Sequence, residues 1–353
     1  MVKVSVIICS WNGKHLLAPC LKSLQHQSFT NFETIIVDNG STDGTQEFLK
    51  KKYPWVRIVH NQTNLGFAAG NNTGIYIAKG AYIALLNNDA IADKDWLVEL
   101  VNTLENDNSL FGVASIADQK YWKKRYWFPG FGTTCFFGQT TIDKRIPKQH
   151  KGLVDIWSPG GGASLLRKPD TDLFDPDYFM YGEDTWYGFK MRLQGFHAVL
   201  NPASKVIHEG EASSKRMPNW KIFYQERNRL LNTLIAYQTT TLLKLTPLLI
   251  LNLIAILLYD LTNAHIRIFA HMWLITHPIA IWKKRVYLQS FRIVDDDAII
   301  KYLSGKFYEE QLINNRFLRT LIQTFNWIQL GYCSIVNLKT TEFYTMKKGR
   351  LQS

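Results

Sequence analysis

Apolar and polar positions in the first two thirds of the chain come in alternating blocks. Val4 to Cys9, Glu33 to Val37, Val56 to Val59 and Tyr82 to Leu86 are short runs rich in β-branched and aliphatic residues. Each precedes a polar loop and then a stretch with helical spacing. Buried strands joined by helices produce this pattern, so the chain reads as an α/β fold with a mainly parallel central sheet. Ligands of such sheets sit beyond the carboxyl ends of the strands. Those ends carry Trp11-Asn12-Gly13, the run Asp38-Asn39-Gly40-Ser41-Thr42-Asp43-Gly44, and Asn87-Asn88-Asp89.

Further along, Tyr181-Gly182-Glu183-Asp184 opens a helical stretch reaching Gly195, and a short strand from His197 to Leu200 precedes Asn201-Pro202 and His208. After Gln225-Glu226-Arg227-Asn228-Arg229 the pattern changes to long apolar helices. The division expected is a catalytic region over 1–232 and a helical, hydrophobic C-terminal region over 233–353. The uncharged run from Leu245 to Tyr259 is shorter than the roughly 20 residues of an ordinary membrane span. The expectation is therefore in-plane or re-entrant contact with a membrane surface. His265 to Trp282, ending at Lys283-Lys284-Arg285, suits an anionic headgroup region. The alternative is a packed helical hairpin or the interface of a homo-oligomer.

Composition narrows the classes. Apolar residues make up 46% of the 353 positions, enough for a substantial core and too many for a disordered chain. The formal charge of +12, from 41 basic and 29 acidic residues, favours anionic partners. Nucleic acid is not among those expected, because the basic residues are dispersed and no nucleic-acid motif accompanies them. Cys9, Cys20, Cys135 and Cys333 lack metal or disulfide spacing, which fits a reducing compartment. The N-terminal apolar run is too short for a signal peptide.

The polar loops carry the candidate chemistry. Asp38, directly after Ile35-Ile36-Val37, offers a carboxylate to a base or ribose, although a capped turn uses the same residues. Asn64-Leu65-Gly66-Phe67-Ala68-Ala69-Gly70-Asn71-Asn72 runs a glycine-containing loop into a helix, whose first amides suit a diphosphate or sugar hydroxyls. Packing of small residues is the alternative. Asp89, after a fully apolar strand, is a hard oxygen ligand for Mg2+ or Mn2+. Glu183 and Asp184 at a helix start supply a general base, or merely cap the helix. His208 alone reads more readily as structural. Gly160-Gly161-Gly162-Ala163 is a tight strand entry or a backbone surface beside a sugar. Tyr121-Trp122-Lys123-Lys124-Arg125-Tyr126-Trp127-Phe128-Pro129 suits stacking on sugars as well as it suits a surface hairpin.

Taken in order, Val-Ile-Ile-Cys-Ser-Trp-Asn-Gly, Val-Asp-Asn-Gly-Ser-Thr-Asp, Asn-Leu-Gly-Phe-Ala-Ala-Gly-Asn, Leu-Leu-Asn-Asn-Asp, Phe-Met-Tyr-Gly-Glu-Asp and Val-Ile-His resemble the family 2 glycosyltransferases, particularly their rhamnosyltransferase-like branch. The resemblance covers about residues 2–230. It implies a GT-A fold, a nucleotide-diphosphate sugar donor such as dTDP-rhamnose or a UDP-sugar, and inversion by direct displacement. It further implies Asp38 as the nucleoside-binding acid, Asp89 as the last acid of the D-x-D metal motif, Asp184 as the catalytic base and His208 as a further metal ligand. Donor contacts would come from Ser10, Asn12, Asp38, Asn39, Ser41, Asn64, Gly66, Phe67, Asn71, Asn87 and Asn88. Acceptor contacts would come from Gly161, Gly162, Glu183 and Trp186. Asn87 stands where many members carry the first acid of D-x-D, and Thr185-Trp186 where many carry a further Asp. The lack of Q-x-x-R-W near residues 225–230 points to single-sugar transfer. The implied acceptor is a saccharide or a polyprenyl-diphosphate-linked saccharide, met on the cytoplasmic side of the cell membrane by a peripheral or shallowly inserted protein. A catalytically silent nucleotide- or sugar-binding protein of the same fold is the alternative.

Overall fold

β1 (Val4–Ser10) is buried along nearly its whole length, as an apolar strand must be when neighbours flank it on both sides. In the computed structural model those neighbours are β2 (Phe32–Asn39) and β4 (Tyr82–Leu86), both parallel to it. The structure describes residues 2–119, 127–129, 152–208, 217–308 and 313–344. They form two compact units, the first holding described residues up to 188 and 196–221, the second 189–195 and those from 222 onward.

The first unit is built on a ten-stranded sheet whose main path runs β3-β2-β1-β4-β9-β6-β10-β5. β3 (Arg57–Asn61) lies parallel at one edge, and β6 (Leu110–Gln119) runs parallel to β10 (His197–His208). β9 (Ala163–Arg167) enters antiparallel between β4 and β6. The antiparallel strands β5 (Ala90–Ala92), β7 (Trp127–Pro129) and β8 (Val154–Ile156) complete it. The sheet is thus mixed, its parallel part being the four strands at one end together with β6 and β10.

The connecting helices follow the apolar spacing. α1 (Lys14–Gln25) buries Leu16, Leu17, Cys20, Leu21 and Leu24, a one-sided stripe at helical period. α2 (Thr45–Lys52) buries Thr45 and Leu49. α3 (Gly66–Tyr76) buries mainly small residues, which lets its backbone approach β1 and β2 closely. α4 (Trp96–Glu105) buries Trp96, whose Nε1 donates to Ser115 Oγ at 2.8 Å. Ser115 meets Ser204 at 2.9 Å, and Ser204 Oγ donates to the Trp96 carbonyl at 3.1 Å, so every polar atom of this buried chain is paired.

Two elements differ from the sequence expectation. The strand expected to stop at Leu200 continues to His208, with its register shifted between Asn201 and Lys205. Pro202 lacks an N–H and would break a regular ladder, but a bulge accommodates it. The apolar C-terminal helix starts earlier than the uncharged run. α7 (Thr239–Tyr259) begins six positions before Leu245, and Thr239–Leu257 is long and apolar enough to cross a membrane by length and composition. A core helix passes the same test, yet most of this stretch is not buried.

α5 (Glu183–Arg192) follows β9, and α6 (Pro218–Ala236) precedes α7. The second unit continues with α8 (Ala264–Thr276), α9 (Pro278–Gln289), α10 (Asp296–Ile300) and α11 (Arg316–Ile335). The aromatic-basic stretch beginning at Tyr121, apart from β7, lies outside the described residues, as does Cys135.

Candidate active site

The loops after β1 and β2 are laced together. Asn12, in the left-handed region at φ 49°, receives the Thr42 N–H on its side-chain oxygen at 2.8 Å. Its own N–H donates to Ser41 Oγ at 2.9 Å, and the Lys14 N–H donates to Asp43 at 3.1 Å. Beneath them Asn88 donates to Ser10 Oγ at 2.9 Å, tying the end of β4 to the end of β1. A Cβ at Gly13 would lie 2.2 Å from the Asn88 amide nitrogen and 2.7 Å from Ser10 Oγ. Only a glycine lets the chain pass over that pair.

Asp38 is wholly buried, at 0% exposure. One carboxylate oxygen accepts the Ser41 N–H at 3.2 Å, and the other lies 3.1 Å from Nδ1 of His60. No part of the Asp38 side chain reaches solvent. Sequence reasoning missed His60. Its signal was a polar residue at the end of an edge strand, in register with Asp38.

The start of α3 is also closed. Asn64 Oδ1 takes the Gly66 N–H at 2.9 Å, Asn39 Oδ1 takes the Leu65 N–H at 3.2 Å, and the Phe179 carbonyl takes the Phe67 and Ala68 N–H groups at 2.5 and 3.2 Å. The Phe179 carbonyl thus satisfies two of the amides at the helix end that were expected to face a diphosphate or sugar. Asn39 and Asn71, each 2% exposed, are likewise spent inside the protein. Asn39 donates to Asn64 and to the Gly66 carbonyl, and Asn71 donates to the Phe67 carbonyl.

The ends of β4, β9 and β10 converge on Asn87, Asp89 and His208. The Asn87 N–H donates to the Gly162 carbonyl at 2.9 Å. A Cβ on Gly161 would fall 2.4 Å from the Phe67 ring, so that glycine permits the ring's contact with the backbone. The β10–β5 register pairs His208 with Ala90 and brings Nε2 to 3.0 Å from Asp89 Oδ1. The Asn87 amide nitrogen also lies 3.0 Å from Nε2. Nε2 therefore has a partner whether or not it carries the proton. No group of three or more His, Cys, Asp or Glu side chains suited to a metal occurs among the described residues. Asp89 and His208 nevertheless offer a carboxylate and an imidazole side by side, a donor pair that fits a divalent cation whose other ligands come from phosphate and water.

The loop before α5 holds Phe179, Tyr181 and Gly182 at φ values of 58°, 66° and 83°, conformations rare for aromatic residues and concentrated at functional sites. It delivers two unlike carboxyls. Glu183 is buried with Oε2 lacking a hydrogen-bond partner. Burial, and then the charge of Asp184, push its pKa well above the ordinary carboxylate range. Asp184 is partly exposed and accepts the Thr185 N–H at 2.7 Å. Burial of its surroundings raises its pKa, while the Thr185 hydrogen bonds oppose the rise. Of the two, Glu183 is pushed the further toward its neutral form. Trp186, expected at the acceptor, is 2% exposed and packs on Tyr178.

Residues 5–174 match the family described as Glycosyl transferase family 2. An uncharacterized glycosyltransferase of Haemophilus influenzae is 32% identical over 115 residues, covering 32% of this chain and 36% of the relative. A cholesterol galactosyltransferase of Borreliella burgdorferi is 34% identical over 110 residues, covering 30% of each chain. The chain thus matches about a third of the length of these curated relatives. The fold is shared with a crystal structure of GalNAc-T7 with UDP, GalNAc and Mn2+, at TM-score 0.53 and 17% identity over 68% of this chain and 49% of that one. The fold and the match define a GT-A domain. Over residues 5–174, just under half of the chain, the sequence is similar to the family 2 glycosyltransferases.

Proposed function

We propose that this protein is an inverting glycosyltransferase that moves one sugar from a nucleotide-diphosphate donor, dTDP-rhamnose or a UDP-sugar, to a hydroxyl of a saccharide or polyprenyl-diphosphate-linked acceptor. The observation that carries the proposal is the unequal carboxyl pair at the start of α5, Glu183 buried with Oε2 unpartnered and Asp184 partly exposed beside it. A carboxylate with a raised pKa is a suitable general base for an acceptor hydroxyl. Asp89 and His208, 3.0 Å apart, would hold Mg2+ or Mn2+. Such an ion supplies charge neutralisation for the departing diphosphate.

A donor panel tests this reading. UDP and dTDP are expected to raise the melting temperature with Mn2+ present, by about 2.7 kcal/mol of linkage at a hundredfold excess over Kd. Asp89→Asn, or EDTA, is expected to remove most of that gain. Equal stabilisation with and without the ion would remove the metal from the proposal. Binding without any nucleotide release from the corresponding sugars would favour the silent binding protein.

We further propose that the C-terminal helices rest on the cytoplasmic face of an anionic membrane. α7, α8, α9 and α11 contain no Asp or Glu, and besides Arg267, which Glu226 and Asp260 engage, they carry Lys244, Lys283, Lys284, Arg285, Arg316 and Arg319. Phe269, Ile279, Trp282, Phe317 and Trp327 are exposed on them, more apolar surface than a soluble face ordinarily leaves bare. A second copy of the chain would set cations against cations, whereas acidic lipid complements them. Vesicles with acidic phospholipid are expected to float with the protein, and Lys283→Glu with Lys284→Glu to weaken binding roughly tenfold or more, at about 1 kcal/mol per basic residue. Failure to float with acidic vesicles would refute the location.

A further inference from the structure

Asp38 and His60 occupy paired register positions at the carboxyl ends of the parallel strands β2 and β3, where a nucleotide belongs in this class of sheet. The carboxylate is sealed off, yet the His60 side chain that touches it is 42% exposed. A carboxylate 3.1 Å from Nδ1 fixes the imidazole proton on that nitrogen. The Gln46 side-chain amide lies 2.6 Å from the same nitrogen. With the N–H there, the consistent orientation of that amide turns its oxygen to share the proton. The lone pair is then on Nε2, which no described residue engages.

We propose that His60, oriented by the buried Asp38, accepts the imide N–H of the donor's base and so selects uracil or thymine over cytosine. The proposal rests on the nucleotide-donor reading above. Uracil and thymine carry a hydrogen on N3, which complements the Nε2 lone pair. Cytosine presents a lone pair at N3 and would set acceptor against acceptor, leaving both unpaired. His60 is thus the specificity-determining residue, and Asp38 a positioning residue acting through it. The neighbouring loop is held independently by the Asn12, Ser41 and Thr42 hydrogen bonds, so a change at the exposed His60 leaves its frame in place.

The test is competitive binding of UDP, dTDP and CDP to the full chain with Mn2+. Wild type is expected to favour UDP and dTDP over CDP by roughly tenfold or more, the worth of one hydrogen bond left unmade. His60→Ala is expected to bring that ratio near one, and to lower the melting temperature without nucleotide because the buried Asp38 loses a partner; the ratio, which a uniform loss of stability does not change, is the readout. Asp38→Asn, which keeps the shape but releases the tautomer, is expected to reduce the ratio with His60 still present. A merely structural His60 would change all three affinities together and leave the ratio intact, which overturns the proposal. So would CDP binding to wild type as tightly as UDP. If no nucleoside diphosphate binds wild type at all, the donor reading fails first and this inference fails with it.

Discussion

Replacing Asp184 by Asn is expected to lower sugar transfer by about 10^2- to 10^4-fold, the usual contribution of a positioned general base, with little change in donor affinity. The amide keeps the shape and the Thr185 N–H contact at 2.7 Å but cannot take a proton from the acceptor. The pH profile supplies a second readout. Activity requires Asp184 ionised, so it falls as pH drops through the folded-state pKa. That pKa is raised, and the acid limb should accordingly lie above the range of an ordinary carboxylate, as an apparent value belonging to the pair. Glu183→Gln mimics the protonated acid and should cost far less than the change at Asp184. Nucleotide release from the donor sugar at steady state measures both. Unchanged turnover in Asp184→Asn would eliminate the base, and equal losses in the two variants would eliminate the division of roles.

The strand ends were legible in the sequence because burial and position coincide there. An apolar run followed by Asn87-Asn88-Asp89 marks both a core strand and the place where it surfaces. The meeting of Asp89 with His208 was less accessible, since it depends on β10 continuing past Pro202 through a bulge and pairing His208 with Ala90. Local pattern stops a strand at Asn201-Pro202, and only the tertiary ladder carries it on. The closure of the α3 start was not legible locally. Free amides at a helix start look like an anion site, and the group that closes them, the Phe179 carbonyl, is more than a hundred residues away. The burial of Asp38 was hidden in a similar way. A polar residue at a strand end looks exposed from its neighbours, and its contact with His60 comes from another strand. Trp186 shows the limit of motif proximity, because a helix that presents Asp184 partly to solvent turns the residue two positions later into the core.

Glu226→Gln is expected to destabilise the C-terminal unit by about 3–5 kcal/mol, the cost of breaking a buried ion network by removing one partner. Glu226 is 2% exposed and meets Arg229 at 2.7 Å, Arg267 at 2.9 Å and His271 at 3.0 Å, while Arg267 reaches Asp260 at 2.7 Å. These contacts join α6 to α8. Burial alone would raise the pKa of Glu226, but Arg229 and then His271 outweigh it and hold the carboxyl at about 2. A depressed folded-state pKa means that the stabilisation is fully present above the unfolded value near 4.3. It is lost as pH falls through the folded value. The shift corresponds to about 3 kcal/mol by linkage, the same order as the substitution cost. Denaturant titration followed by tryptophan fluorescence should show wild type weakening between about pH 4 and pH 2, and Glu226→Gln already weak at pH 7 with a flatter dependence. Replacing Glu226, Arg229 and Arg267 together by apolar residues of similar volume should recover much of the loss, since a buried network contributes far less net than its rupture costs. A single substitution that leaves the midpoint unchanged at pH 7 would mean that the network contributes nothing to joining the two helices.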